Sequence, residues 1–131
     1  FNLHGTGLPK DRGGGGFSWQ ILMGKRFGFC LLHLIDGGID TGDILRTKEF
    51  LYPVKCRISS DYRKIYSEMN LCFYIDFIEE IRTKGVSIET YKQIEYLSTY
   101  WPRINTPIQG WINFDDTLYN IEKFICAFDD P

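Results

Sequence analysis

Two side chains suited to chemistry lie two residues apart at the start of the chain, which opens with FNLHGTGLPKDRGGGG. We predict that Asn2 and His4 end a β-strand, where side chains at positions i and i+2 point the same way. An amide N–H can stabilise a developing oxyanion, and an imidazole can move a proton near neutral pH. The pair suits acyl transfer by direct attack of the acceptor, because no activated Ser or Cys nucleophile is evident. The plainer alternative is that Asn2 is a turn residue and His4 a partly buried strand residue.

Three carboxylates crowd a later loop with the sequence IDGGIDTGDI, at Asp36, Asp40 and Asp43. Glycines there allow the backbone to turn tightly and bring a carboxylate against another element. A carboxylate that faced His4 would raise the pKa of the imidazole and hold its orientation. Ordinary turn and capping roles are the alternative, and the residues by themselves do not choose among the three.

The glycine run at positions 13–16 resembles a phosphate-binding loop only in composition. A Walker-type loop is excluded because no Lys-Ser or Lys-Thr pair follows the glycines. We predict a flexible loop that borders a pocket, with backbone N–H groups available to an anionic substrate.

The overall composition narrows the class of protein. The chain has 131 residues, of which 44% are hydrophobic, and a formal net charge of -2. That length suits one domain or a large part of one. The absence of a basic stripe argues against a stand-alone nucleic-acid binder, and no apolar run is long enough to predict a membrane span. The four cysteines form no CxxC pair, so we expect free thiols in a reducing, cytoplasmic setting, with Cys30 and Cys72 buried.

The apolar pattern predicts an α/β fold with few strands. The predicted strands cover residues 1–4, 26–35, 43–52 and 110–114, and the predicted helices cover residues 17–24, 59–85 and 115–128. The strand at 26–35 is nearly continuously apolar, which is typical of a strand buried on both faces. The helix at 59–85 is apolar on most sides of its middle part and is expected to be well buried. We expect His33, which lies within the apolar strand, to be structural.

The segments FNLHGTGLPKDRGGGGFSW and LIDGGIDTGDIL together resemble the folate-dependent formyltransferases. That family includes methionyl-tRNA formyltransferase, glycinamide ribonucleotide transformylase and the sugar N-formyltransferases. Its signature is an Asn-x-His strand end, a loop similar to SLLPxYRG and a later DxGxDTGD loop. The close match covers residues 1 to about 45, and the tail resembles more loosely the segment after the catalytic domain in the tRNA and sugar branches. The chain departs from the pattern at Thr6, Gly7 and Asp11, on the side of the site expected to face the acceptor.

The resemblance implies a fold and a division of the chain. It implies a Rossmann-like formyltransferase fold that is incomplete, with the N-terminal half of the sheet and a folate-contacting loop expected before Phe1. Residues 1–95 would form the C-terminal portion of the catalytic domain, and residues 96–131 a linker with a short strand and a helix. We therefore expect the 131-residue chain by itself to be inactive and prone to association, with an unpaired apolar face around residues 27–34.

The resemblance also implies an activity, which is transfer of a formyl group from 10-formyltetrahydrofolate to a primary amine without a metal. The implied catalytic residues are Asn2, His4 and Asp40, with the His4 and Asp40 side chains expected within about 3 to 6 Å. The implied folate contacts are Leu34, Ile35, Asp36, Gly37 and Gly38, and the implied acceptor contacts are Thr6, Gly7, Arg12 and Gly13. A nucleotide-linked amino sugar is the favoured acceptor, with a possible homodimer. The alternatives are methionyl-tRNA as acceptor and a non-catalytic interaction module.

Overall fold

A computed structural model of the chain describes residues 1–85 and 88–129. The elements in chain order are β1 (Asn2–His4), β2 (Arg12–Gly13), α1 (Gly16–Leu22), β3 (Phe27–His33), β4 (Ile44–Leu51), α2 (Ser59–Lys84), a 3-10 helix (Glu95–Leu97), β5 (Tyr100–Trp101), α3 (Thr106–Gln109) and α4 (Leu118–Phe128). The predicted α/β class is confirmed, and the long helix and the two long strands lie within two residues of their predicted bounds.

Strand β3 is the centre of a three-stranded sheet of order β1-β3-β4, and it runs antiparallel to both neighbours. Its apolar sequence is explained by this position, because Cys30, Leu31 and Leu32 are each at most 1% exposed. Asn2 is paired directly with His33 across the β1–β3 ladder. Directly opposed residues on neighbouring strands have adjacent side chains, so the ladder itself brings the amide beside the second imidazole of the chain.

Both outer strands, β1 and β4, pair only with β3 in the described sheet, and β4 has in addition one isolated bridge from Ile44 to Tyr91. The prediction of an unpaired apolar face around residues 27–34 is wrong in this respect. The first and last of those residues, Phe27 and Leu34, are exposed, but the middle of the strand is covered. The chain places β3 between two partners, a pairing that the apolar run alone does not reveal.

Two apolar clusters hold the helices on the sheet. Cys30, Leu32 and Leu45 pack against Phe73 and Phe77 of α2. A second cluster joins α1, α2 and α4 and consists of Ile21, Tyr52, Cys56, Tyr62 and Ala127. Burial of aromatic side chains of this size dominates the energy of such clusters.

Helix α2 is buried along one face only, and the prediction that it is well buried is wrong. Its outward face carries exposed apolar side chains at Leu71, Tyr74, Ile75 and Ile78. The sequence shows that the helix is apolar nearly all round, but this chain supplies a partner for one side. None of the described helices is both long and apolar enough to cross a membrane.

All four cysteines are free, as predicted, but their burial differs. Cys30 and Cys56 are buried, and burial raises the pKa of the Cys30 thiol to about 11. The expected burial of Cys72 is wrong, because this residue is exposed. It lies about 100° around the helix from Phe73, which takes the core position.

The last third of the chain differs most from prediction. The strand expected at 110–114 is absent, and Trp111 and Phe114 are 78% and 82% exposed. A parallel pair of two-residue strands, β2 and β5, forms instead and aligns Gly13 with Trp101. Strands this short carry no periodicity, so the pattern could not predict them.

Candidate active site

The side chains of Asn2, His4 and Asp40 meet at one end of the β1–β3 pair. The His4 Nδ1 atom lies 3.6 Å from Asp40 Oδ1. Asn2 Nδ2 donates to the same carboxylate oxygen at 3.5 Å. The predicted separation of about 3 to 6 Å between His4 and Asp40 therefore holds, and the three side chains are largely shielded from solvent.

The backbone conformation around Asp40 directs its carboxylate toward His4 and the glycine-rich loop. Asp40 has a φ of 55°, a left-handed conformation that Asp adopts more readily than most residues. The backbone N–H of Gly13 donates to Asp40 Oδ2 at 2.9 Å, which links the glycine-rich loop to the acidic loop. Gly42 closes the turn, where a Cβ atom would lie 1.8 Å from the carbonyl oxygen of Leu34. Only glycine fits such a close approach.

The other two carboxylates of the loop point to different partners. Asp36 Oδ1 accepts from the hydroxyl of Thr41 at 2.5 Å and from the N–H of Gly38 at 3.1 Å. These hydrogen bonds, that from Thr41 first, lower the pKa of Asp36. Asp43 Oδ2 accepts from the hydroxyl of Thr90 at 3.5 Å. The structure thus brings Asp40 to His4, a choice that the residues by themselves left open.

His33, which was predicted to be structural, also contacts this cluster. It is buried, as a strand residue should be, but its Nε2 lies 3.0 Å from Asn2 Nδ2 and 3.6 Å from Asp40 Oδ1. Its Nδ1 lies 2.7 Å from the carbonyl oxygen of Leu34, an atom that can only accept. The proton is therefore on Nδ1, and Nε2 accepts from the Asn2 amide. The sequence did not predict this contact, because His33 lies 31 positions from Asn2. The pairing of β1 with β3 brings the two residues together.

The electrostatics of His4 favour a neutral imidazole. Burial lowers the pKa of His4 and outweighs the opposing effect of the Asp40 carboxylate, while His33 lowers the pKa further. A neutral imidazole at pH 7 can accept a proton, which is the first requirement of a general base. The Asp40 carboxylate favours the tautomer with the proton on the facing Nδ1, which leaves Nε2 as the acceptor.

His4, His33 and Asp40 also form a set that could hold a metal ion, since one ligand atom from each lies within 4.8 Å of the others. Imidazole and carboxylate ligands suit zinc and similar divalent ions. In the structure His33 Nε2 and Asp40 Oδ1 both lie within hydrogen-bonding distance of the Asn2 amide nitrogen. Catalysis without a metal stays a prediction.

The predicted acceptor contacts have mixed environments. Thr6 is buried, and its hydroxyl donates to the carbonyl oxygen of Asp11 at 2.9 Å. Thr6 and Gly7 line a cavity of about 440 Å³ together with Phe27 and Phe29.

Arg12 has its guanidinium engaged within the protein, which differs from a free acceptor-binding group. Nη2 donates to Gln93 Oε1 and to Glu95 Oε2, each at 2.9 Å, and the side chain is 7% exposed. Nε also donates to Gln93 Oε1, at 3.2 Å. The observed role of Arg12 is to hold the segment around Gln93 against the glycine-rich loop.

The predicted folate contacts, residues 34–38, form an exposed loop directly after His33. The carbonyl oxygen of Leu34 accepts from His33 Nδ1, so this loop adjoins the cluster of Asn2, His4 and Asp40. Ile35 is 71% exposed and available to a ligand. Contact between this loop and folate stays a prediction.

Gln93 is a residue of the site that the sequence did not indicate. Its Oε1 accepts from Arg12, and its Nε2 donates to the carbonyl oxygens of Asp40 at 2.8 Å and of Gly42 at 2.7 Å. One side chain therefore connects the two loops. Gln93 belongs to a stretch that was predicted as irregular. Such a stretch has no hydrophobic periodicity from which the position of a side chain could be predicted.

The chain is similar in sequence and in fold to known proteins. No protein-family model matches the chain. A methionyl-tRNA formyltransferase of Ruminiclostridium cellulolyticum is 27% identical over 95% of the chain and 38% of its own length. The solved N-formyltransferase of Helicobacter canadensis, in complex with folinic acid and dTDP-3-aminofucose, is 31% identical with a TM-score of 0.78, over 97% of the chain and 46% of its own. The methionyl-tRNA formyltransferase of Clostridium thermocellum is 29% identical with a TM-score of 0.70, over 95% of the chain and 50% of its own.

The chain therefore has the fold of part of a formyltransferase, and the predicted resemblance to the folate-dependent formyltransferases is confirmed. Relatives from both the sugar branch and the methionyl-tRNA branch match it over nearly its whole length. The chain spans less than half the length of the curated relative and about half that of the solved structures.

Proposed function

We propose that this chain is part of an enzyme that moves a formyl group from 10-formyltetrahydrofolate to a primary amine. The observation that carries the proposal is the convergence of Asn2, His4 and Asp40 in a chain with the formyltransferase fold. The Helicobacter canadensis enzyme was crystallised with folinic acid, which supports a reduced folate as donor.

The geometry suggests a role for each catalytic side chain. His4 Nε2, which has no hydrogen-bond partner among the described residues, takes the proton that the amine loses as its nitrogen bonds to the formyl carbon. The same proton then goes to the folate nitrogen as its bond to the formyl carbon breaks. Asp40 holds the Nδ1–H of His4 and stabilises the imidazolium while it exists. Asn2 lies beside them, with its two amide N–H groups facing His33 Nε2 at 3.0 Å and Asp40 Oδ1 at 3.5 Å. In the proposed reaction, the N–H that faces Asp40 turns to the oxygen on which negative charge develops.

The acceptor that we propose is a nucleotide-linked amino sugar. The dTDP-3-aminofucose complex of the Helicobacter canadensis enzyme supports this choice, as does the net charge of -2, which does not favour an RNA partner. Methionyl-tRNA is the second candidate, and the similarity to methionyl-tRNA formyltransferases supports it. A non-catalytic interaction module is the third.

The test is an acceptor screen with the full-length protein that contains this chain. Release of tetrahydrofolate from 10-formyltetrahydrofolate is measured with dTDP-linked amino sugars, UDP-linked amino sugars and methionyl-tRNA. We expect turnover with a nucleotide-linked amino sugar and a loss of about 10²- to 10⁴-fold in kcat for His4→Ala. Lys55→Ala, at an exposed position outside the site, is the control. Turnover with methionyl-tRNA alone would select the second candidate, and none with any amine would select the third.

A further inference from the structure

Two imidazoles, a carboxylate and an amide converge at one end of the β1–β3 pair. His4 Nδ1 and His33 Nε2 each lie 3.6 Å from Asp40 Oδ1, and every pair among these three atoms is within 4.8 Å. The Asn2 amide nitrogen is a further close neighbour, at 3.0 Å from His33 Nε2 and 3.5 Å from Asp40 Oδ1. The first three of these groups are common ligands of transition metals.

The separations match the dimensions of a zinc site. A tetrahedral zinc ion holds nitrogen and oxygen ligands at about 2.0 to 2.2 Å, which places neighbouring ligand atoms about 3.4 Å apart. The two separations of 3.6 Å are close to that value, and the two imidazoles have to approach each other as an ion enters. Two nitrogens and one carboxylate oxygen suit zinc and cobalt better than magnesium or calcium, which prefer oxygen ligands.

His33 already has the tautomer and the outer contact of a zinc ligand. Its Nδ1 donates to the carbonyl oxygen of Leu34 at 2.7 Å, so its Nε2 offers a lone pair to the cluster. Histidines that bind a metal characteristically donate their other N–H to a backbone carbonyl or a carboxylate, which fixes the ring and raises its basicity. Because the ring is buried and held in this way, binding of an ion costs little conformational freedom.

The cluster is largely shielded from solvent, but two of its ligands are partly exposed. The side chains of His4 and Asp40 are 11% and 13% exposed, whereas that of His33 is 4% exposed. The Asp40 carboxylate carries a charge that attracts a cation, and Asp36 and Asp43 of the same loop add to it. An ion from solution can therefore reach the carboxylate first and then the imidazoles.

We propose that His4, His33 and Asp40 form a zinc-binding site and that a bound zinc ion switches off formyl transfer. The inhibition rests on the proposed function, whereas the metal site does not. Zinc takes the lone pair of His4 Nδ1, and the proton on that atom moves to Nε2. Nε2 then has no lone pair for the proton of the amine, and Asp40 no longer holds an Nδ1–H. The oxygen of a turned Asn2 amide, or a water molecule, is the fourth ligand.

The first test measures metal binding by the full-length protein after a chelator has removed all metal. Cobalt(II) is the probe, because tetrahedral cobalt absorbs visible light and zinc displaces it. We expect His33→Gln to bind one cobalt ion fewer per chain at equal cobalt concentration and to lose at least about tenfold in zinc affinity at this site. Cys72→Ser, which removes an exposed thiol that could itself bind zinc, is the control and should bind as the unsubstituted protein does.

Melting temperatures without metal show whether the variants fold. Asp40→Asn, with Asp43→Asn of the same loop as its control, repeats the comparison without relying on His33. Equal cobalt binding and equal zinc affinity in each folded variant and its control would overturn the proposal.

The second test is formyl transfer by the full-length enzyme in the presence of zinc. Zinc should inhibit and a chelator should restore activity, while magnesium at the same concentration has no effect. The remaining activity of His33→Gln should need at least about tenfold more zinc for the same inhibition. Unchanged or higher turnover with zinc bound at the cluster would overturn the proposed inhibition. Cobalt binding as expected, with no turnover by the metal-free protein toward any amine, would count against the proposed function instead.

Discussion

Among individual residues, Asp40 contacts both the first strand and the glycine-rich loop. Its carboxylate contacts Asn2 and His4 of the first strand and the backbone N–H of Gly13. The left-handed backbone at this position aims the carboxylate inward, while residues 34–39 before it are exposed. Strain of this kind is tolerated where surrounding contacts determine it, and it is frequent at functional sites.

The first prediction concerns Asp40→Asn. The carboxylate raises the pKa of His4 against the larger effect of burial, so its removal should lower that pKa further. His33 and Asp11 remain as the other titratable groups that act on His4. Because a general base must be deprotonated, the acidic limb of the pH–rate profile should move to lower pH. We expect kcat to fall by about 10²- to 10⁴-fold, since the imidazolium loses its partner.

The measurement is kcat against pH for the full-length enzyme and the variant. Asp43→Asn is the matched control, because Asp43 lies in the same loop but accepts a hydrogen bond from Thr90. The acidic limb of its pH–rate profile should stay at the pH of the unsubstituted enzyme. A limb that moved to higher pH in Asp40→Asn would contradict the assignment of Asp40 as the partner of His4.

The second prediction separates the two roles that His33 could have. If His33 orients the Asn2 amide through Nε2, Gln at position 33 should keep much of the activity because its side chain can also place an acceptor there. Leu fills similar space without an acceptor and leaves an Asn2 N–H unpaired, at a cost of about 1 to 3 kcal/mol.

We therefore expect kcat for His33→Leu to fall by about tenfold or more, with His33→Gln between it and the unsubstituted enzyme. Melting temperatures of both variants are measured alongside. Equal kcat in the two variants at equal stability would mean that His33 acts only through packing.

Between elements, the site is assembled by the segment that follows α2. Gln93 connects Arg12 of β2 to the carbonyls of Asp40 and Gly42, and β5 pairs with β2 in parallel. Trp101 of β5 also stacks on Trp19 of α1, with ring centroids 6.1 Å apart. The stretch from 93 to 101 thus serves as a brace between two loops that carry site residues.

The third prediction is that Gln93→Leu loosens this brace. The change leaves the buried Arg12 guanidinium and two backbone carbonyls short of partners, and each unsatisfied group costs about 1 to 3 kcal/mol. We expect a lower free energy of unfolding in urea and a kcat at least about tenfold lower, because Asp40 is no longer held. Gln109→Leu, at an exposed position, controls for the substitution itself. If Gln93→Leu lost neither stability nor activity, the contacts of Gln93 would not be needed to hold Asp40 in place.

For the molecule as a whole, two exposed surfaces favour association. One edge of β1 has no strand partner among the described residues, and one face of α2 exposes apolar side chains. Open edges and apolar patches favour association. Asn2 and His4, which we propose as catalytic residues, lie on that edge strand.

The fourth prediction is that the 131-residue chain by itself neither transfers formyl groups nor stays monomeric. Positioning of donor and acceptor can supply about 7 to 11 kcal/mol of the barrier, and it requires a closed site. The chain and the full-length protein are compared for tetrahydrofolate release and for mass by light scattering. Comparable turnover by the chain would contradict this prediction and would place the donor within residues 1–131.

The sequence by itself determined the elements with strong local signals. The continuous apolar run predicted β3, and helical spacing with glycine at its end predicted α2, because burial and capping act over a few neighbouring residues. The spacing of Asn2 and His4 placed both on one side of a strand end for the same local reason. The resemblance then selected Asp40, and the structure brings that residue to His4.

Only the tertiary structure decided the rest of the site, since its contacts join residues far apart along the chain. His33 meets Asn2 across 31 positions, and Gln93 meets Arg12 across 81. No local pattern encodes such contacts, because they depend on which strand pairs with which and on what the packing excludes from water.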